Sequence, residues 1–73
     1  MEHLDTIYKR HLDVIKRLEF KIRDLQFDLD TALMHEDNIN AVRYQAYLDA
    51  TYYQLAIMEL ETSFIALKVH TPV

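Results

Sequence analysis

The residue types that this sequence lacks already restrict what it can do. Its 73 residues include no cysteine, no glycine and no tryptophan, and the single proline is Pro72. The absence of cysteine excludes disulfides and thiolate metal sites. The absence of glycine excludes the glycine-rich loops that cradle phosphates in nucleotide-binding proteins. Because no helix-breaking residue stands before Pro72, long helices are the expected structure.

The residues needed for catalysis are also scarce. Ser63 is the only serine, and no histidine stands near it in the sequence, so no nucleophile–base pair is recognisable. The Glu-x-x-His motif that builds di-metal sites in helical bundles does not occur. We therefore expect a protein without enzymatic activity, bound metal or cofactor.

No stretch of the sequence is suited to crossing or entering a membrane. Apolar runs such as Leu55–Met58 contain four residues, whereas a bilayer requires roughly 20. The segment Met1–Asp5 is charged and lacks the apolar core of a signal peptide. We expect a cytoplasmic protein that does not bind membranes.

The first half of the chain contains a heptad repeat. Its a and d positions follow one another at intervals of four and three residues, and they are Leu4, Tyr8, His11, Ile15, Leu18, Ile22, Leu25, Leu29 and Ala32. This spacing predicts one amphipathic helix over about residues 3–35. At a d position, His11 is expected to use its ring nitrogens locally and to fix the register of the seam.

The apolar spacing fails after Met34, and short polar residues follow. The candidates for the N-cap of a second helix are Asp37, Asn38 and Asn40. We predict a turn over residues 36–40 and a second helix over 41–69, ended by Thr71-Pro72. In the absence of glycine, we expect any left-handed residue in the turn to be an asparagine. So short a connection makes the two helices antiparallel.

The second helix is apolar on two sides, which we name the first stripe and the second stripe. The first stripe consists of Tyr44, Leu48, Leu55, Met58, Ile65 and Val69. The second stripe consists of Ala46, Ala50, Tyr53, Ile57, Leu60, Phe64 and Leu67. A helix packed against one neighbour needs one stripe, so the other stripe requires a second partner.

Two apolar stripes on so short a chain predict self-association. A core built from 73 residues without disulfides is usually marginal. Two hairpins packed back to back would bury the second stripe in a four-helix bundle. We therefore predict an all-α fold: one coiled-coil-like antiparallel helical hairpin, spanning 1–73, that self-associates into a dimeric four-helix bundle. The residues expected to form the self-interface are Tyr53, Ile57, Leu60, Phe64 and Leu67.

The first helix also carries apolar residues outside its heptad seam. Phe20, Phe27 and Met34 stand seven residues apart at heptad position f, on the side away from the seam, and we name them the ridge. One interpretation is that the ridge completes the self-interface; the other is that it docks a partner protein. We expect at least one of the two phenylalanine rings to lie in the self-interface.

Four further residues are candidates for contact with a partner. Arg17 and Arg23 stand beside the ridge, and Tyr47 and Tyr52 fall off both stripes. Basic residues interleaved with Phe20 are suited to contacting phosphates and stacking on bases. However, the net charge is +2 through Arg23 and −6 over the rest of the chain, and the acidic part repels nucleic acid. Nucleic acid is therefore not expected to be a strong ligand.

These features together indicate an interaction protein. The leading hypothesis is a small non-enzymatic protein that forms a homodimer and binds, inhibits or adapts another protein, as a regulator or a phage-type inhibitor does. One alternative is a nucleic-acid-binding helical bundle that uses the basic half of helix 1. The other alternative is a structural assembly subunit.

Overall fold

The protein is a hairpin of two long helices. A computed structural model describes residues 3–70, in which α1 spans Leu4–Met34 and α2 spans Asn38–His70. The hairpin measures 57 × 18 × 14 Å and has a radius of gyration of 16.5 Å, whereas a globular domain of this length has about 11 Å. The predicted all-helical hairpin is confirmed. The predicted helix stop at Thr71-Pro72 lies outside the described residues.

The turn is shorter than predicted, and its left-handed residue is not an asparagine. Glu36 has a φ angle of 56°. Its backbone N–H donates to the carbonyl of Leu33 at 3.2 Å, and the N–H of Asp37 donates to the carbonyl of Ala32 at 2.8 Å. These two hydrogen bonds form a Schellman motif, which places the residue after the C-cap in the left-handed region. The expectation of an asparagine was wrong because α1 ends at Met34 and Glu36 therefore occupies that position.

Asp37 caps the second helix, so α2 begins at Asn38 rather than at residue 41. The Oδ1 of Asp37 accepts the backbone N–H of Asn40 at 3.3 Å, and the Oδ2 of Asp37 accepts the side-chain amide of Asn40 at 2.6 Å. The N–H of Ala41 donates to the Asp37 carbonyl at 2.9 Å. Of the three predicted candidates, Asp37 is thus the N-cap, and its partner Asn40 lies one turn inside the helix.

The best-packed part of the interface lies next to the turn. The buried apolar core consists of Leu29, Ala32, Ala41 and Leu48, and the half-buried side chains packed against it are Ile22, Leu25 and Tyr44. At the opposite end of the hairpin, Leu4 is 43% exposed. The predicted seam of α1 therefore forms the interface with α2, but its packing is tightest where the turn holds the helices together.

Two threonines complete the buried face of α2. Thr51 and Thr62 are 2% and 8% exposed, although the first stripe omits them. Their hydroxyls donate to the carbonyls of Tyr47 at 2.7 Å and Met58 at 2.6 Å, each four residues earlier. A polar side chain satisfied in this way can be buried without leaving a donor unpaired. With both threonines included, the 3-4 spacing is unbroken from residue 41 to residue 69.

Candidate interaction surfaces

The second stripe of α2 is exposed along its whole length in the hairpin. Its large side chains range from 39% exposed for Ile57 to 70% exposed for Tyr53. Ala46 and Ala50, at the turn end of the stripe, are also exposed. The hairpin alone therefore leaves all the residues predicted for the self-interface in solvent.

The two stripes of α2 point in nearly opposite directions. If the buried face defines positions a and d, the second stripe occupies positions c and f, as Ile57 and Leu60 illustrate. At 100° per residue, these positions are centred about 160° from the buried face. A partner that covers the second stripe therefore approaches α2 from the side opposite α1.

The ridge of α1 forms a second exposed apolar surface. Phe20, Phe27 and Met34 are 64%, 72% and 81% exposed. Position f lies about 170° from the centre of the a/d seam, so the ridge faces away from α2. The ridge and the second stripe thus lie on opposite sides of the hairpin, and one flat partner surface cannot cover both.

Basic side chains border one end of the ridge. The guanidinium carbon of Arg23 lies 5.9 Å from the centre of the Phe20 ring, which is within the range of a cation–π contact. A shallow depression beside them is lined by Lys16, Glu19, Phe20 and Arg23. Arg17 is also exposed on α1. The structure therefore joins Phe20 and Arg23 in one patch, to which Glu19 adds a negative charge.

The two tyrosine candidates do not join this patch, because both are on α2. Tyr47 and Tyr52 are each about half exposed. Tyr47 is at position g, which borders the second stripe, whereas Tyr52 is at position e, which borders the hairpin interface. Tyr47 is therefore placed to contact whatever covers the second stripe, and Tyr52 contributes to neither exposed apolar surface.

A polar contact joins the helices towards the open end of the hairpin. The Nδ1 of His11 lies 2.9 Å from the carbonyl oxygen of Ile7, and its Nε2 lies 3.0 Å from Oε2 of Glu61. Both partners are acceptors, so only the protonated imidazole donates to both. The hydrogen bond to the Ile7 carbonyl and then that to Glu61 raise the pKa of His11 above 6.5, although burial acts against them. The local bonding expected of His11 is confirmed, and its partner on α2 is Glu61, which the sequence alone did not indicate.

The described residues contain neither a cluster suited to a metal ion nor a helix suited to a membrane. Within residues 3–70, no group of three or more His, Asp or Glu side chains is arranged to hold a metal ion. In the same part of the chain, neither helix combines the length and the apolar character needed to cross a membrane. The two exposed apolar surfaces are accordingly the features of the hairpin that bear on its function.

Comparison with known proteins adds no relative. No protein-family model, curated protein or solved structure matches the chain.

Proposed function

We propose that the protein is a non-enzymatic interaction module that pairs with a second copy through the second stripe of α2 and binds a partner protein through the ridge of α1. The observation that carries the proposal is the placement of two apolar surfaces on opposite sides of one hairpin. Exposed apolar patches of this kind are typical of protein–protein contact sites. Binding would inhibit or adapt the partner, while the dimer presents the ridge twice.

The position of the ridge favours a partner protein over the self-interface. A second copy that docks on α2 opposite α1 cannot reach Phe20 or Phe27 on the far side of α1. Burying two such rings contributes several kcal/mol to an interface, at about 25 cal/mol per Å² of apolar area. Arg23 extends this surface with a cation held over the Phe20 ring at 5.9 Å, and arginine is enriched among the residues that dominate binding energy.

A pair of double variants tests both halves of the proposal. Phe20→Ser with Phe27→Ser should abolish capture of the partner protein and leave helicity and dimer mass unchanged. Leu60→Ser with Phe64→Ser should have the reverse effect: the dimer should dissociate, and each hairpin should still bind through its ridge. Circular dichroism, light scattering and affinity capture from a plausible host lysate supply the three measurements.

Two results would contradict the assignment of these surfaces. If Phe20→Ser with Phe27→Ser splits or melts the dimer, the ridge belongs to the self-interface. If capture survives the loss of both rings, the partner binds elsewhere. Large homogeneous self-assemblies, in which no other protein is captured, would instead favour a structural assembly subunit.

A nucleic-acid-binding bundle is the second candidate, favoured by the patch that combines Arg23 with the Phe20 ring. Cationic and aromatic side chains side by side are suited to phosphates and stacked bases. Glu19 in the same depression and the net charge of −4 oppose this ligand. We expect gel-shift titrations with RNA and duplex DNA at physiological salt to show no submicromolar binding. Tight, salt-sensitive binding that falls when Arg17 and Arg23 become alanine would favour this candidate instead.

A further inference from the structure

We infer that the second stripe docks an identical copy of itself in the antiparallel direction, with the two-fold axis at the level of Leu55. The helices of the dimer then lie in a flat layer, in the order α1, α2, α2 and α1. This inference rests on the proposed self-association and specifies its direction, its register and its shape.

The hairpin exposes enough surplus surface to supply the contact area of a stable dimer. The chain exposes 6017 Å², whereas a compact monomer of 8.7 kDa exposes about 4700 Å². The excess of about 1300 Å² is larger than the roughly 800 Å² that each partner buries in a standard protein–protein interface. A second copy that buries a standard interface on one long face would therefore remove more than half of this excess, and a longer contact could remove more.

The sizes of the side chains make the second stripe complementary to itself in the antiparallel direction. The stripe begins near the turn with small residues and continues with large ones. A two-fold axis at Leu55 gives the following layers between the copies: Ala46 with Phe64, Ala50 with Leu60, and Tyr53 with Ile57. The first two layers each combine one small and one large residue, and the central layer combines an aromatic with a β-branched side chain, so these layers form a core without a large void.

The parallel direction fits the same stripe badly. Ala50 would then meet Ala50 and leave a gap, while Phe64 would meet Phe64 and crowd its layer; underpacking and overpacking both destabilise a core. In addition, parallel pairing aligns the dipoles of two long helices side by side.

The residues that border the stripe permit antiparallel docking. In the register centred on Leu55, two pairs form between the copies on one side of the stripe: Tyr47 faces Glu61, and Asn40 faces Lys68. On the other side Asp49 faces Ser63. None of these pairs brings together two charges of the same sign, and the Tyr47 hydroxyl gains a carboxylate acceptor in Glu61.

The dimer is flat because the buried face and the second stripe of α2 are about 160° apart. In a square four-helix bundle, each helix contacts its two neighbours on faces roughly a right angle apart. Here α2 instead lies between α1 and the second copy. The predicted four-helix dimer is thus a layer whose two outer faces carry the ridges, which explains how Phe20 and Phe27 stay accessible in the assembled protein.

Two matched alanine-to-cysteine variants test the direction and the register, since the natural chain has no cysteine. Ala56→Cys and Ala50→Cys both replace an exposed alanine on α2. In the antiparallel dimer, the two copies of Ala56 face each other beside the two-fold axis. The two copies of Ala50 are then separated by ten residues along the helix, or about 15 Å at 1.5 Å per residue. A short bis-maleimide should therefore link Ala56→Cys into a covalent dimer at least tenfold more than Ala50→Cys.

The controls separate failure of this inference from failure of the proposed function. Preferential linkage of Ala50→Cys shows parallel pairing and overturns the inference, as does equal linkage of both variants. Linkage of neither variant, in protein that retains the mass of a dimer, overturns the register. If Ala56→Cys itself prevents pairing, Gln54→Cys on the other side of the axis replaces it and should link equally well. A monomeric mass for the unmodified chain overturns the proposed self-association itself.

Discussion

The two faces of α2 differ in a way that the sequence conceals. Both faces have apolar spacing of three and four residues, but only one of them is covered in the hairpin. The covered face contains Thr51 and Thr62, whereas every residue of the second stripe is alanine, aromatic or aliphatic. The more uniformly apolar face is therefore the exposed one. Apolar periodicity therefore indicates how many partners a helix needs, whereas the geometry of the hairpin indicates which face each partner covers.

The largest expected effect comes from truncating the covered face. Leu48 is 2% exposed, and its replacement by alanine removes packing from the core next to the turn. We expect Leu48→Ala to lower the free energy of unfolding by about 2–5 kcal/mol, as measured by urea titration followed by circular dichroism. This loss should be present at every protein concentration, because the contact lies within one chain.

Leu60→Ala on the second stripe is the counterpart of Leu48→Ala, because it removes the same atoms from the other face of α2. Leu60 is 61% exposed in the hairpin, so its truncation should cost little in a dilute monomer. In the proposed dimer the side chain would be buried, and the cost should approach that of a core residue. We therefore expect the loss of stability to grow with protein concentration, and the same behaviour for Ile57→Ala. A cost independent of concentration would show that the second stripe packs within its own chain.

A smaller effect on the free energy of unfolding is expected from a substitution in the turn that connects α1 to α2. Glu36 adopts a φ of 56°, a conformation that costs a residue with a Cβ about 1–2 kcal/mol and glycine very little. Glu36→Gly should raise the free energy of unfolding by about 1 kcal/mol after the greater flexibility of the unfolded chain is subtracted. Glu36→Ala is the matched control, since it removes the charge and keeps the Cβ. An equal gain from Glu36→Ala would assign the effect to charge rather than to backbone conformation.

The smallest expected effect is a pH dependence of the free energy of unfolding, which arises from His11 on the covered face. His11 has a pKa above 6.5 in the folded protein because it donates to the Ile7 carbonyl and to Glu61. Its contribution to stability is therefore full below the unfolded-state pKa of about 6.5 and is lost as the pH rises through the higher folded-state value. As the pH rises from about 6.5 through the higher folded-state pKa, the difference in unfolding free energy between the natural protein and His11→Gln should shrink. An unchanged pH profile in His11→Gln would disprove the assignment.

The fold was largely predictable from the sequence, because the heptad spacing of α1 and the absence of glycine and of an internal proline both require long helices. The details that were missed depend on hydrogen bonds that spacing does not reveal. The sequence did not assign Thr51 to the buried face because its hydroxyl is polar, and only the structure shows that this hydroxyl donates to a backbone carbonyl. The left-handed conformation of Glu36 was not predicted because it depends on the residue at which α1 ends. An unbroken 3-4 pattern that includes the threonines could have identified the full buried face.

The residues of the candidate surfaces were predictable from the sequence, but the directions in which the surfaces face in the hairpin were not. The sequence identified the apolar residues of the second stripe and of the ridge, and it left open whether Phe20 and Phe27 belong to the self-interface. Only the positions of the two helices show that these surfaces face opposite ways. That arrangement is the basis for proposing that the second stripe binds a second copy and that the ridge binds a partner protein.

The most direct test of the central claim is the mass of the protein in solution. Size-exclusion chromatography with light scattering at micromolar concentration should give twice the 8.7 kDa of one chain, because we propose that a second copy covers the second stripe. A stable, fully helical species with the mass of one chain would contradict the account.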